Sequence, residues 1–437
     1  MPTLVLTSLR GQPNETLELQ CPSRSPELAN VKELTTDDIV GSPTSPDPSE
    51  PLTETLDEIE AVLDADVINN RPGYVRRFVW VDAASDRIGT EFAGVEVTEA
   101  PASWLTEADV PPGNNFWFVQ YGSAGGSGSG AACRGGSGSA SIWGGGPSGG
   151  AARHEWRVSR RDILDALPIF FTTPLGGAGG AALVTTSLSI VNGNPGVAGA
   201  MNIISGTRLR HTAGGGGPGA AGTGTASGTA GAGGGEVGNG GGPSSPGAPF
   251  DTGPSTSNTT FTDRGGALAN ARNTTGSSGT SNYAMDGGSG GGSNTSASSI
   301  IHGGRSKRGG CGGGHGGRAF LSGAEPSQAS DGGNHDVETL GIPWGGGGGV
   351  AGVGRGGPGG AGADGSINEG GQGGGGGMGG LGNTSGTAVG GTGGAGGFPG
   401  GGSGGGGGVL STVLTGTATS GAGFKGNDAA TILTITL

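Results

Sequence analysis

Short runs of β-branched and aromatic residues, set in polar and glycine-rich sequence, predict a series of short β-strands. The clearest is residues 115–121, which run directly into glycine. Residues 74–81 and 88–97 are separated by the turn-forming Ala83-Ala84-Ser85-Asp86 and predict a β-hairpin with a small apolar face. The remaining predicted strands are residues 155–158, 169–173, 182–192, 201–210, 409–419 and 431–437.

One helix is predicted ahead of the strands. Ser49 can cap its start, Pro51 suits its first turn, and Arg71-Pro72-Gly73 ends it. Its apolar residues follow a spacing of 4, 3 and 4: Leu52, Leu56, Ile59 and Leu63. This spacing fits the seam of a short coiled coil and also an amphipathic helix packed on its own chain, so both interpretations stay open.

Glycine dominates the rest of the chain. It supplies 109 of 437 residues, and residues 214–320 and 344–408 contain little besides Gly, Ser, Thr, Ala, Asn and Pro. Free linkers have this composition, but apolar residues such as Leu268, Phe320 and Phe398 recur through it. Glycine strands with three residues per turn can bond their amides to neighbouring strands, so we expect a rigid, polyglycine II-like scaffold. The glycines keep no strict triplet register, which excludes collagen.

The distribution of charged residues separates an acidic N-terminal region from the glycine-rich remainder of the chain. Residues 1–120 carry 21 acidic and 7 basic residues, whereas the glycine-rich remainder is almost neutral and the whole chain has a formal net charge of −13. Without a basic patch we expect no nucleic-acid partner. No apolar run approaches the length of a membrane span, so we expect no membrane insertion, and the opening residues resemble no signal peptide.

These patterns predict five segments. Residues 1–48 are an extended acidic arm, and residues 49–114 hold the short helix and the hairpin as an attachment region. Residues 115–213 form a domain of strands leading into glycine, residues 214–408 a glycine-rich low-complexity body with surface loops, and residues 409–437 a C-terminal β-hairpin. The fold class expected is mainly β with extensive glycine-rich coil, beginning with the small helix and hairpin region.

Candidate chemistry is sparse. His302, Cys311 and His315 could suggest a metal site, but a glycine loop does not orient ligands and a fourth ligand such as His335 or Asp336 would be needed. Solvent-facing polar side chains are the preferred interpretation. The three cysteines, Cys21, Cys133 and Cys311, match no disulfide or zinc spacing. Gly-x-Gly-x-x-Gly matches lie inside glycine tracts and carry no Gly-Lys-Ser/Thr ending, so they predict no nucleotide site.

A polysaccharide hydrolase would need two carboxylates on rigid strands and aromatic platforms for sugar rings. The only local acidic cluster of the glycine-rich body is Glu325, Asp331, Asp336 and Glu338, with Trp344 nearby. We interpret these residues as exposed charges on a loop. The sequence thus predicts no enzyme, with no catalytic, cofactor-binding or metal-binding residue.

Two segments carry a family resemblance. Residues 116–126 pass from an aromatic strand into glycine, and residues 149–181 consist of a glycine run, an arginine-led strand, a short helical step and a return into glycine. Residues 393–402 are similar to a closing glycine tract before a last strand. Over residues 115–437 the chain thus resembles the glycine-rich domains of bacteriophage tail and other virion proteins.

The resemblance implies a structural or receptor-binding virion part, often a homotrimeric fibre, tip or adhesin, assembled in the host cytoplasm. We expect a tail fibre or adhesin whose N-terminal region joins other virion proteins and whose body meets a host receptor. The insertions 251–300 and 320–344 interrupt the glycine and are the expected recognition loops. A head fibre, decoration or tail-adaptor protein without a receptor is the alternative, and a tailspike hydrolase is less favoured.

Overall fold

The structure is a computed structural model of the chain. Among the residues it describes, 29% are strand and 4% are helix, so the fold is mainly β and the predicted class is confirmed. It describes residues 3–7, 16–20, 75–135, 141–224, 228–235, 239–240, 283–284, 303–306, 308–320, 329–332, 356–382, 387–412 and 414–436. The chain divides into two compact units, Met1–Tyr74 and Val75–Leu437.

In the first unit the structure describes one antiparallel strand pair, β1 (Thr3–Thr7) with β2 (Thr16–Gln20). These ten residues lie within the segment 1–48 that the sequence predicts as an extended arm, and the structure pairs them as two antiparallel strands. The helix predicted from Ser49 lies outside the described residues.

A six-stranded sheet forms one end of the second unit. Its order is β10 (Arg153–Ser159), β7 (Asn115–Tyr121), β22 (Ala430–Thr436), β3 (Val75–Val81), β5 (Val95–Glu99) and β4 (Glu91–Phe92). The predicted strand 115–121 is confirmed to the residue. Both faces of this sheet are covered. Six of the seven residues of β22 are therefore buried in succession, instead of alternating between buried and exposed.

A four-stranded sheet packs against one face of the six-stranded sheet. Its order is β14 (Arg210–Ala213), β13 (Asn202–Ser205), β11 (Ile169–Thr172) and β6 (Ser103–Trp104). Helix α1 (Arg160–Asp165) closes the side; Ser159 caps it by accepting a hydrogen bond from the Asp162 amide. The shared core holds large side chains of both sheets and the helix: Trp80, Trp104, Phe116, Phe118, Trp156, Ile163, Ile169, Phe171, Ile204, Leu433 and Ile435.

Both predicted hairpins are wrong. β3 runs parallel to β5, and the hairpin of this region is β4 with β5, joined by Ala93 and Gly94. Both turn residues have positive φ, 52° and 79°, as a two-residue type I′ turn requires. At the C-terminus β22 pairs with β3 and β7 and not with residues 409–419. Local alternation identifies strands but not their partners.

Residues 409–419 form two strands in two small sheets. β20 (Val409–Ser411) lies between β18 (Gly380–Gly382) and β8 (Ala132–Arg134), whereas β21 (Thr417–Thr419) lies between β12 (Val184–Thr185) and β19 (Thr387–Val389). Two further pairs are β9 (Ser141–Ile142) with β17 (Ala319–Phe320) and β15 (Tyr283–Ala284) with β16 (Arg305–Ser306). A short 3₁₀ helix occupies Glu107–Asp109. The predicted strand 182–192 is largely wrong, since β12 covers two of its residues.

The glycine-rich segments form a bundle joined by backbone hydrogen bonds that recur every third residue. Along residues 122–131, successive amides donate to three different neighbours in turn, over distances of 2.8–3.1 Å. The acceptor segments run antiparallel and are residues 143–152, 191–200 and 421–427. Carbonyls of the same stretch accept from residues 177–180, 216–222 and 406–409, which run parallel. Three residues per turn is the period of a polyproline II helix.

Close backbone approach explains why these segments are glycine. A Cβ on Gly126 would overlap the carbonyl oxygen of Ala178, and one on Gly376 would overlap that of His315. Residues that face outward carry side chains, such as Thr392, which is exposed. The bundle interior thus places glycine where a neighbouring backbone approaches closely, together with small buried side chains such as those of Ser127 and Ser403.

The bundle has two ends. Residues 122–131 leave β7 and reach β8, and their antiparallel neighbours return to β10, β13 and β22. One end is therefore the two large sheets. The opposite end, which we call the distal end, consists of turns and small sheets, and its described parts include residues 132–135, 141–143, 183–191, 318–320, 380–382, 387–389, 409–412 and 414–419. Strands from the predicted segments 49–114, 115–213 and 409–437 share one sheet, so these segments fold together.

Candidate recognition surface

The distal end presents a small sheet with an apolar outer face. In the sheet β12–β21–β19, Val184 lies opposite Thr419, and Thr419 lies opposite Val389. Val184 and Val389 are 63% and 54% exposed. The next row, Thr185 with Ala418 and Ala388, is buried against the bundle. Because side chains alternate between the faces of a strand, the sequence Thr-Ala-Val at 387–389 buries its middle residue and exposes the valine.

Two exposed leucines adjoin one another over Gly135. A Cβ on Gly135 would lie 2.7 Å from Cδ2 of Leu188 and 2.8 Å from Cδ2 of Leu414, so a side chain here would displace both. These leucines are 58% and 66% exposed. Together with Val184 and Val389 they form what we call the distal aliphatic patch. Exposed aliphatic groups gathered at one end of a molecule are typical of an interaction surface.

Hydrogen bonds between loops hold the patch in place. The amide of Arg134 donates to the Ser187 carbonyl at 2.9 Å, and that of Gly135 to the Ser411 carbonyl at 2.7 Å. The Arg134 guanidinium donates to the Gly416 carbonyl at 3.2 Å. These contacts join three turns far apart in the sequence. The patch is thus carried on a rigid base, as recognition loops commonly are.

The cysteine nearest the patch is unsuited to chemistry. Cys133 is 2% exposed, and burial raises the pKa of its thiol. Its Sγ lies 3.3 Å from the Leu188 carbonyl. Since the thiolate is the reactive form, a raised pKa leaves Cys133 as a packing residue.

The candidate metal ligands do not form a site in the part of the chain that the structure describes. The imidazole of His315 is buried, with Nδ1 2.6 Å from the Gly316 carbonyl oxygen and Nε2 3.2 Å from that of Gly228. Burial lowers the pKa of His315. Cys311 is also buried, and no group of three His, Cys, Asp or Glu residues suits a metal among the described residues. His302, His335 and Asp336 lie outside them.

His315 and Cys311 were interpreted as solvent-facing, and that interpretation is wrong: both are buried in the bundle. His315 connects segments instead. Its amide donates to the Ser330 hydroxyl at 2.5 Å, and the Ser330 amide donates back to its carbonyl at 3.0 Å. The buried His315 side chain thus makes hydrogen bonds within a glycine tract, where glycine itself has no side chain to make them.

Of the acidic cluster, the structure describes Asp331, which is half-buried and whose carbonyl accepts from the Gly303 amide at 2.9 Å. Glu325, Asp336, Glu338 and Trp344 lie outside the described residues, as do nearly all of the expected recognition loops 251–300 and 320–344. The distal aliphatic patch was missed. Its signal was the apolar run in residues 183–191, which was interpreted as part of one long strand.

Comparison with known proteins adds no relative. No protein-family model matches the chain, and no curated protein matches its sequence. Across the described residues, no helix is both long and apolar enough to cross a membrane.

Proposed function

We propose that the chain is a bacteriophage virion structural protein, a tail fibre, tail tip or adhesin component. Its N-terminal region attaches to other virion proteins, and its glycine-rich body presents the distal end to a host cell-surface receptor. The observation that carries this proposal is the placement of exposed turns and aliphatic residues at one end of a hydrogen-bonded bundle, opposite the two large sheets.

The structure of the bundle favours a role in displaying a binding surface over a role in catalysis. Its interior is largely backbone packed on backbone, and the reactive side chains described inside it, Cys311 and His315, are buried away from any ligand. A bundle whose amides bond to neighbours on all sides keeps its turns at fixed positions. Binding to a partner loses less entropy when the binding surface is already ordered.

Location on the particle is the first test. Antibodies raised against the purified chain are applied to phage particles that contain it, and the gold label is located by electron microscopy. We expect label at the tail tip. Label on the head would overturn the proposed receptor role and favour a head fibre or decoration protein.

Adsorption to host cells is the second test. Labelled wild-type chain should bind host cells and slow adsorption of the phage. The double variant Leu188→Ser, Leu414→Ser should lose most of this binding because it removes the two leucines of the distal aliphatic patch. Leu105→Ser is the matched control, since Leu105 is 59% exposed beside β6 at the sheet end. Equal binding by all three proteins would contradict a role for the patch.

A further inference from the structure

A surface cavity of about 560 Å³ lies near the sheet end of the bundle, apart from the distal end. Three parts of the chain build it. The turn after β3 supplies Asp86 and Arg87, the bundle supplies residues 361–364 and 395–396, and the last bundle segment supplies residues 424–427. The volume lies within the range of about 300–1,000 Å³ that is usual for small-molecule sites.

One wall is fixed by a bidentate ion pair. The Arg87 guanidinium donates to both carboxylate oxygens of Asp364, at 2.7 and 3.1 Å, and lies 5.0 Å from the ring centroid of Phe398. Asp364 also accepts from the Phe398 amide at 2.7 Å. Because Arg87 is neutralised by Asp364, this wall presents carboxylate oxygens as hydrogen-bond acceptors and no unpaired positive charge.

The buried carboxylate of Asp428, which is outside the cavity lining, holds the lining residue Lys425. It accepts from the Ser85 hydroxyl and the Gly176 amide, both at 2.7 Å, and pairs with the Lys425 ammonium at 2.8 Å. Lys425 is therefore neutralised and held in place at the cavity. An ammonium has three N–H groups, so Lys425 keeps donors for a ligand.

An aromatic ring completes the cavity. Phe424 is 43% exposed, although its backbone is locked on both sides. Its amide donates to the Ser127 hydroxyl at 2.7 Å, and its carbonyl accepts from the Ser127 amide at 3.1 Å and the Ser403 hydroxyl at 2.8 Å. An exposed phenyl ring on an immobile backbone is available to stack on a ligand at little entropic cost.

We propose that this cavity binds a neutral saccharide. Sugar hydroxyls can donate to the carboxylates of Asp86 and Asp364 and accept from Lys425, while the C–H face of a pyranose ring packs on Phe424. The two cations are already paired within the protein, and two carboxylates line the walls, so an anionic ligand is disfavoured. This site does not depend on receptor binding at the distal end.

Titration calorimetry on the purified full chain tests the proposal. The probes are maltotriose, cellotriose and mannotriose, with 3′-sialyllactose and adenosine as the anionic and the flat aromatic comparisons. We expect saturable binding of at least one neutral trisaccharide. Phe424→Ala should weaken it at least about tenfold by removing the stacking face. Phe170→Ala is the matched control, because Phe170 is 50% exposed on β11, outside the cavity.

A second variant keeps the proposal testable if Phe424→Ala fails to fold. Asp86 is exposed, so Asp86→Asn should fold normally and still weaken binding several-fold. The proposal is overturned if no neutral trisaccharide binds up to about 10 mM. Binding confined to sialyllactose or adenosine would also overturn it, as would unchanged affinity in both Phe424→Ala and Asp86→Asn.

Discussion

At the scale of single residues, a buried amide joins the two large sheets. Asn202 of β13 is fully buried, and its Nδ2 lies 3.0 Å from the carbonyl oxygens of Tyr121 and Ala430 and from the Thr431 hydroxyl, so its two N–H groups are shared among three acceptors. Its Oδ1 accepts from Gln120 at 3.3 Å. The amide therefore satisfies backbone groups at the point where β7 and β22 meet the bundle.

Replacing Asn202 by Ala should lower the free energy of unfolding by about 3 kcal/mol, since several buried partners lose a hydrogen bond. Denaturant unfolding measures the change. Asn194→Ala is the control: its Nδ2 donates to the Ala181 carbonyl at an exposed position, so its loss should cost under about 1 kcal/mol. Equal costs for the two variants would contradict the assigned role.

A histidine pair makes stability depend on pH. His211 stacks on Trp156 with ring centroids 4.0 Å apart, and its Nδ1 lies 2.9 Å from Nε2 of His154. Burial, and then repulsion from His154, lower the pKa of His211 to about 4. Between an ordinary pKa of 6.5 and this value the unfolded chain binds more protons than the folded chain. Stability is thus fully present above that window and is lost as the pH falls through it.

We expect wild type to lose about 1–2 kcal/mol between pH 6.5 and 4 from this group, after allowing for solvent screening at a half-buried site. His211→Phe keeps a ring on Trp156 and removes the titration, so its stability should fall less over the same window. Denaturant unfolding at several pH values gives the comparison. Parallel pH profiles for the two proteins would rule out this assignment.

At the scale of elements, the unit of packing is the bundle segment, whose glycines lie against neighbouring backbones. Gly376 lies in residues 371–380, whose amides at Gly371, Gly374, Gly377 and Gly380 donate to residues 399–408 at 2.7–2.9 Å. Its own amide donates to the Ser330 carbonyl at 2.9 Å. A Cβ at this position meets backbone, which cannot rotate away.

Gly376→Val should therefore separate segments and cost at least about 3 kcal/mol, a large value by the standard of single substitutions. Hydrogen exchange followed by mass spectrometry should show slow exchange of residues 371–380 in wild type and loss of that protection in the variant. Thr392→Val introduces the same side chain at an exposed position and should leave protection intact. Fast exchange of this segment already in wild type would contradict the bundle.

At the scale of the whole molecule, we expect a homotrimer. The apolar residues Leu52, Leu56, Ile59 and Leu63 have the spacing of a coiled coil, and the proposed role as a tail fibre or adhesin component fits a trimer. Multi-angle light scattering should return about three times the 41.6 kDa of one chain. A folded protein with the mass of a single chain would contradict the prediction of a trimer.

The division into two units predicts how the N-terminal region can be removed. Residues 75–437 form a compact unit of their own, so deletion of residues 2–48 should leave a soluble chain with unchanged protection in the bundle. Particles assembled with this variant should lack it, because the proposed attachment region is incomplete. Normal incorporation would show that attachment lies elsewhere in the chain.

The sequence by itself determined the class of the fold and the location of its strongest strands. Residues 115–121 are rich in aromatic residues and run directly into glycine, and local pattern suffices for such a strand. Glycine content, and the apolar residues recurring within it, also suggested an ordered scaffold. Both features are local: they depend on which conformations each residue favours and not on distant partners.

Only the tertiary structure decided which strands pair and which residues gather at one end. β3 and β22 are far apart in sequence, and the order of the six-stranded sheet depends on the path of the glycine segments between them. Leu188 and Leu414 meet over Gly135 because the bundle brings their turns together. In a glycine helix each amide can bond to any neighbouring segment of matching register. Composition therefore determines the three-residue period of the helix, whereas long-range packing determines which segments hydrogen-bond to one another.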